Sequence, residues 1–272
     1  MNFSFNFNNK NTLLIVVFIG LLVFSNSLFN GFVWDDEEQI VNNSVIRDLR
    51  NIPVIFSGGA FNSGGTGSLL GIYYKPMMTL AFALTYSVFK LNPFFYHLTS
   101  VLLQITNSYL VYLFLSKFFN KNKALILSLL FMVHPLYSEV VFYMADIQDL
   151  LYFLFGMLGL LISSYWSVLF FLLSLLSKET GIVFILISII YSYLFQRKKI
   201  IQVVVPGVIA ILIYSFLRFY VAKIYFPRHD MAPIARLTLK ERVKSMPLIT
   251  FYYLENFVLP INLTINQHWY VK

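Results

Sequence analysis

Asp35-Asp36-Glu37-Glu38 gathers four of the chain's 12 acidic residues into one tetrapeptide, directly after the apolar run from Thr12 to Phe29. Carboxylates crowded at the end of a membrane-length run repel one another and are costly to desolvate. Such a cluster points to handling a proton, a cation or a polar substrate rather than to supporting a fold. Asp35 and Asp36, adjacent after Trp34, are the candidate catalytic pair, because a general base needs a carboxylate with a matched pKa and a neighbouring acid raises one pKa of a pair. Coordination of a divalent metal by hard oxygen ligands is the competing chemistry. The plain structural alternative is a helix start, with Glu37 and Glu38 complementing the helix dipole.

Three further motifs carry polar groups at the ends of apolar runs. In Tyr73-Tyr74-Lys75-Pro76, Lys75 at headgroup level is placed to neutralise a lipid phosphate and Tyr74 to donate a hydrogen bond to it, although Lys and Tyr also serve as plain interfacial anchors. His134-Pro135-Leu136-Tyr137-Ser138-Glu139 precedes Asp146 and Asp149. There His134 and Glu139 could orient a donor or shuttle a proton, but they lack metal-ligand spacing, and a lone histidine is more often structural. Ser177-Lys178-Glu179-Thr180-Gly181 sets an opposite-charge pair where a tight turn would suffice, either neutralising a phosphate or satisfying itself as a salt bridge. His97 and Arg218 lie within apolar runs. Residues 57–71 hold six glycines and read as a mobile loop; without a preceding strand and a Gly-Lys-Ser/Thr ending, phosphate cradling there is a weak reading.

The elements that must position these groups are membrane helices. Apolar residues make up 58% of the 272, charged residues 12%, and mean hydropathy is +0.73, which excludes a soluble globular domain. With no cysteine there is no disulfide, thiolate nucleophile or cysteine-bound metal. The net charge of +8 is dispersed between apolar runs without a stacking basic face, so nucleic acid is not an expected partner. The first run is long, has only Lys10 before it, lacks a small-x-small cleavage site and is expected to be retained. Short basic loops stay cytoplasmic, and two clusters set the threading: Lys117, Lys121 and Lys123, then Arg197-Lys198-Lys199. The expectation is an all-α polytopic bundle of about seven spans of roughly 20 residues or fewer, at 12–29, 96–116, 124–135, 149–165, 167–177, 180–195 and 200–220. The stretch 76–91 is expected as an in-plane amphipathic helix inside a long first outer loop, 30–95. The whole forms one membrane domain, 1–272, with 222–272 an outer C-terminal segment. Asp35, Asp36, Glu37, Glu38, Asp48, Glu139, Asp146, Asp149 and Glu179 then converge on the outer face.

Taken in order, Phe32-Val33-Trp34-Asp35-Asp36, Tyr73-Tyr74-Lys75-Pro76, His97, His134-Pro135 with Glu139, Asp149-Leu150-Leu151 and Ser177-Lys178-Glu179 resemble the GT-C glycosyltransferase superfamily. More narrowly, the chain is similar to the membrane half of O-mannosyltransferase-like proteins that carry tetratricopeptide repeats. The matching set covers residues 12–181, with a faint further match at Leu259-Pro260-Ile261-Asn262-Leu263. The resemblance implies transfer of a sugar from a polyprenyl-phosphate donor to an acceptor hydroxyl of a protein or glycan on the non-cytoplasmic face, with inversion. By the same resemblance Asp35 and Asp36 take the role of base or acceptor-positioning group, and Lys75 takes the lipid-phosphate contact. Tyr74, His97, His134, Glu139, Asp149, Lys178 and Glu179 complete the expected substrate site. No cofactor beyond the lipid-phosphate sugar is implied, and a divalent metal is left open. Where the family pattern has an arginine two residues before the acid matched by Asp149, this chain has Ile147. It also ends at Lys272 without the family's further spans and repeats, as expected of a minimal module, a split protein with a repeat-containing partner, or a fragment.

Two other functions fit the same residues. A proton- or cation-coupled transporter or flippase would use Glu139, Asp149 and Glu179, but would favour midplane carboxylates and inverted repeats, neither of which is evident. A noncatalytic subunit would keep the same core. Residue usage heavy in Asn, Lys, Ile and Phe hints at a bacterial inner membrane, with the N-terminus inside and the active site outside.

Overall fold

The computed structural model describes residues 9–62, 69–70, 73–225, 237–261 and 263. Apolar runs become helices because no water is available in a bilayer to satisfy a bare peptide group. The helices are α1 (Asn9–Phe24), α2 (Ile52–Ser57), α3 (Pro76–Phe89), α4 (Pro93–Leu115), α5 (Lys121–Val133), α6 (Ser138–Phe142), α7 (Ile147–Ile162), α8 (Ser167–Ser177), α9 (Ile182–Phe195), α10 (Ile201–Ser215) and α11 (Leu239–Val258). Apart from a two-residue antiparallel strand pair, Phe61–Asn62 with Leu69–Leu70, the regular structure among the described residues is helical. Local chemistry marks the starts. Pro76 and Pro93 open α3 and α4, where a missing N–H costs nothing. Asn120 accepts from the Lys123 N–H at the head of α5, and Thr238 with Glu241 forms a capping box on α11.

Among the described residues, four helical stretches are long and apolar enough to cross a membrane: Lys10–Phe29, Pro93–Leu115, Met144–Ile162 and Arg197–Val221. A fifth arises if Lys121–Val133 and Pro135–Phe142, bent by 49°, count as one span. The expected span 124–135 therefore breaks at His134, where Pro135 cannot continue the helix, and resumes at an angle. The helices at Ser167–Ser177 and Glu179–Phe195 are shorter. At 1.5 Å per residue, an 11-residue helix such as α8 reaches about 16 Å, roughly half a hydrocarbon core.

Small residues set the packing distances. Gly20 receives Ile105 from α4, and Gly156 and Gly159 on α7 receive the rings of Phe184 and Phe171. Polar side chains join helices at depth: Asn107 donates to the Leu150 carbonyl at 3.0 Å, and Gln104 to the Met132 carbonyl at 3.3 Å. α7 and α8 form an antiparallel hairpin whose register is pinned by Ser167 Oγ donating to Gly159 O at 3.1 Å and Ser174 Oγ to Tyr152 O at 2.8 Å. The first loop is also folded. Ile40, Val45, Ile46 and Ile55 pack with Met78 and Phe82 of α3 and with Tyr96, Met144 and Leu151 in one buried cluster. Residues 63–68 and 71–72 of the glycine-rich segment lie outside the described residues.

The two basic clusters share one end of the bundle. Phe118 meets Tyr191 and Phe195, Lys117 sits 5.6 Å from the Tyr191 ring centroid, and the charges of Lys117 and Lys199 feel each other. α9 runs from Gly181 at the opposite end, so the Asp149 and Lys178 ends of the α7–α8 hairpin face away from both clusters.

Candidate functional site

At the end opposite the basic loops, the chain leaving α1 turns at Trp34, a residue in the left-handed region at φ 50. A bulky side chain at positive φ costs of the order of 1–3 kcal/mol and persists only when its surroundings enforce it. Here the indole stands edge-on to Tyr143 at 5.7 Å, and the Tyr143 Oη accepts the Asp35 N–H at 3.2 Å. Those contacts separate the two aspartates. Asp35 has an exposed side chain, while Asp36 is 0% exposed. Asp36 Oδ2 accepts the Val33 N–H at 3.0 Å and Oδ1 the Ala145 N–H at 2.8 Å, stapling the first loop to the turn before α7. Burial lifts the Asp36 carboxyl to about 6, against the opposing pull of its two backbone donors. Of the candidate pair, Asp36 is closed off and Asp35 is open. Glu37 and Glu38 fall in the first turn of a helical element, Glu37–Val41, as helix-start charges.

A second group of charges assembles from three distant segments. The α7–α8 register brings Lys178 onto Asp149, with Nζ donating to Oδ1 at 2.7 Å and Oδ2 at 2.8 Å. Lys75, at the head of α3, stands over the Tyr73 ring at 4.7 Å within electrostatic reach of Lys178, Glu179, Asp149 and Asp146. Burial, then the neighbouring Lys178, hold the Lys75 ammonium below its usual range. Glu179 lies 3.9 Å from the guanidinium of Arg218, which also donates to Tyr214 Oη at 2.9 Å. Glu139 is exposed and feels Asp149 and Lys178. The Asp36 staple joins this group to the first loop, because Ala145 precedes Asp146, itself a neighbour of Asp149, Lys178 and Lys75. Ile147, two residues before Asp149, is buried in the loop-facing core, while Lys178 and Lys75, with Arg218 beside Glu179, are cations at this end of the bundle among the described residues.

Three other expected contacts are buried or engaged with neighbouring backbone. Tyr74 is fully buried, donating its hydroxyl to Phe56 O at 2.8 Å and packing on Tyr214, so it offers nothing to a phosphate. His97 is fully buried on α4 beside the Asn30 and Gly31 backbone, away from solvent. His134 caps the short turn after α5, with Nδ1 accepting the Leu136 N–H at 3.3 Å; that tautomer leaves Nε2 to donate to Phe257 O of α11 at 2.9 Å. Among the described residues, no group of three or more His, Asp or Glu side chains could hold a metal ion.

Beside Asp35 lies an open cavity of about 580 Å³ between the first loop, the segment from Pro135 to Tyr143, and α11, lined by Trp34, Glu139, Tyr143, Tyr252, Tyr253 and Asn256 among others. Tyr143 and the α11 residues escaped the reading of the sequence. A tyrosine among 18, and a helix that carries Pro247 in its interior and an apolar uncovered side, carry no local signal of a site.

No protein-family model matches the chain. No solved structure matches it either. It is similar to a protein O-mannosyl-transferase of Caenorhabditis elegans, 29% identical over 272 residues covering 92% of this chain and 38% of that protein. Protein O-mannosyl-transferase TMTC3 of Homo sapiens is 33% identical over 137 residues, covering 50% and 15%, and TMTC1 of Mus musculus 30% over 202 residues, covering 65% and 21%. The chain thus spans well under half the length of these relatives, matching their membrane half. These relatives are eukaryotic, which leaves the expected bacterial membrane without support.

Proposed function

We propose that this multi-pass membrane chain, whose homologues are the TMTC protein O-mannosyl-transferases, forms the catalytic membrane part of a glycosyltransferase that moves a mannosyl group from a polyprenyl-phosphate carrier to a protein hydroxyl. In this reading Asp35 is the base. It takes the proton of the acceptor hydroxyl as that oxygen bonds to the anomeric carbon, while the bond from that carbon to the phosphate oxygen breaks and the lipid phosphate leaves. Lys75 and Lys178 neutralise the departing phosphate. Lys75 is half-buried and held below its usual range by burial and by Lys178, so the carrier's phosphodiester anion, and the second charge that develops on the phosphate as it leaves, would relieve the repulsion between the two cations. Asp149 and Glu179 keep Lys178 and Arg218 oriented between turnovers.

The observation that carries this reading is the convergence of Lys75, Asp149 and Lys178 from three segments at the end of the bundle where Asp35 stands exposed. Both basic loops sit at the other end, which together with the positive-inside preference supports a reaction on the non-cytoplasmic side. The experiment is transfer of radiolabelled mannose from polyprenyl-phosphate mannose to a serine- and threonine-rich peptide by the purified chain in lipid nanodiscs. Wild type is expected to give a base-labile glycopeptide and Asp35→Asn none. Absence of donor-dependent product with the chain folded refutes the proposal.

A further inference from the structure

We propose that the cavity walled by Trp34, Tyr143, Tyr252 and Tyr253 is the acceptor site, and that it takes an extended polypeptide segment whose hydroxyl residue is flanked by a lysine or arginine. The inference deepens the glycosyl-transfer reading above and rests on it. Electrostatics divides the two substrates. The described residues lining the cavity include Glu139 and no Lys or Arg, and Asp35 adjoins it through the bond from its backbone N–H to Tyr143. A phosphate carrier is repelled from such a wall and drawn to Lys75 and Lys178, while a cationic side chain is attracted to it.

The shape fits the same occupant. A cavity of about 580 Å³ that is open to solvent admits a few residues of an extended chain, not a folded domain. Its aromatic walls offer faces for apolar and cationic side chains, and Ser138, Glu139 and Asn256 offer polar atoms for a peptide backbone. Trp34 is held at φ 50 with its indole 64% exposed, so a strained backbone presents a large apolar surface to the opening. Such strain is retained where the surroundings enforce it and is concentrated at ligand clamps. α11 closes the far wall and is fastened to the bundle by the bond from His134 to Phe257 and the stacking of those two rings. Glu139 also feels Asp149 and Lys178, which sets the cavity against the carrier's cations on that side, while Asp35 adjoins its Tyr143 wall.

The test uses the full chain in nanodiscs and two synthetic peptides carrying one serine and a benzoyl-phenylalanine, one with lysine beside the serine and one with glutamate there. Photolabelling of wild type is expected on the Trp34 segment and on α11. The lysine peptide is expected to label and to be glycosylated at an acceptor KM about tenfold lower than the glutamate peptide, the effect of one favourable charge contact. Glu139→Gln should cut that preference to about threefold or less, and Trp34→Ala should raise the acceptor KM about tenfold while the KM for the carrier stays put. Trp34→Phe should recover most of the loss, and thermal unfolding in detergent identifies a variant that has simply lost its fold. Equal use of the two peptides, or labelling confined to other segments, overturns the inference. Labelling in the cavity without sugar transfer leaves a peptide-binding cavity standing and removes the glycosyltransferase reading, and with it the acceptor role. Transfer with labelling elsewhere does the reverse.

Discussion

Replacing Asp35 and Asp36 in turn separates chemistry from architecture. Asp36 accepts two backbone N–H groups from a position with no exposure, at 2.8 and 3.0 Å. Asp36→Ala leaves both donors buried and unpaired at about 1–3 kcal/mol each, so about 2–6 kcal/mol of stability is lost. That is a large share of the roughly 5–15 kcal/mol that holds a typical native protein together. Asp36→Asn keeps one acceptor oxygen and turns an NH₂ toward the other donor, so it should cost less than the alanine. Asp35, whose side chain is exposed and whose backbone N–H alone is engaged, should tolerate Asn within about 0.5 kcal/mol. Thermal unfolding in detergent, read by intrinsic fluorescence, gives the stabilities, and mannosyl transfer gives the activities. The expected pattern is crossed: Asp35→Asn folded and inactive, Asp36→Asn less stable but measurably active where folded. A folded, fully active Asp35→Asn, or an Asp36→Ala as stable as wild type, refutes the division of roles.

The same carboxyl predicts a pH dependence. Burial raises Asp36 to about 6 in the folded chain against 3.8 when unfolded, so its contribution to stability is fully present below about 4 and is lost as pH rises through about 6. Two units correspond to about 3 kcal/mol; the ratio of Asp36→Asn to wild-type stability should therefore rise between pH 4 and 7, and a flat ratio would count against the burial. Lys178→Met leaves Asp149 facing a half-covered site without its cation, which should cost about 1–3 kcal/mol; adding Asp149→Leu should recover stability but not transfer, as a double-mutant cycle would read. Gly156→Ala drives a methyl into the Phe184 ring and should destabilise by about 1–3 kcal/mol with the carrier KM unchanged, measured by unfolding and kinetics together. His134→Ala frees Phe257 O and should raise protease cleavage within α11 several-fold, whereas unchanged cleavage would mean that α11 is held by other contacts.

The positions of the apolar helices up to α10 were largely legible from residue order, whereas α11 was not. Runs such as 96–116 and 200–220 match α4 and the stretch Arg197–Val221 closely, because a buried peptide group must find its partner four residues away and the length of an apolar run is itself the signal. Pro76 marked a start for the same local reason, and the two basic clusters named one end of the bundle, whereas Pro93 as the start of α4 and the bend at Pro135 came only with the structure. The charged groups at the other end were legible only as a set.

Which of them touch follows from helices meeting at a register that no local pattern encodes. Lys178 finds Asp149 because serines 167 and 174 seat α8 against α7 in one alignment, and a shift of one residue would turn the lysine to another face. Asp35 and Asp36 are neighbours of the same type, yet packing of the first loop under the Ala145 turn desolvates one and leaves the other open, since consecutive residues on a helical turn point about 100° apart. Tyr74, His97 and His134 looked like ligands by type; the structure buries Tyr74 and His97, and ties the hydroxyl of Tyr74 and the ring of His134 to backbone carbonyls. Apolar spacing in the chain specifies segments; the partners of each polar atom come from contacts between segments as much as 123 residues apart, which exist only once the bundle has closed.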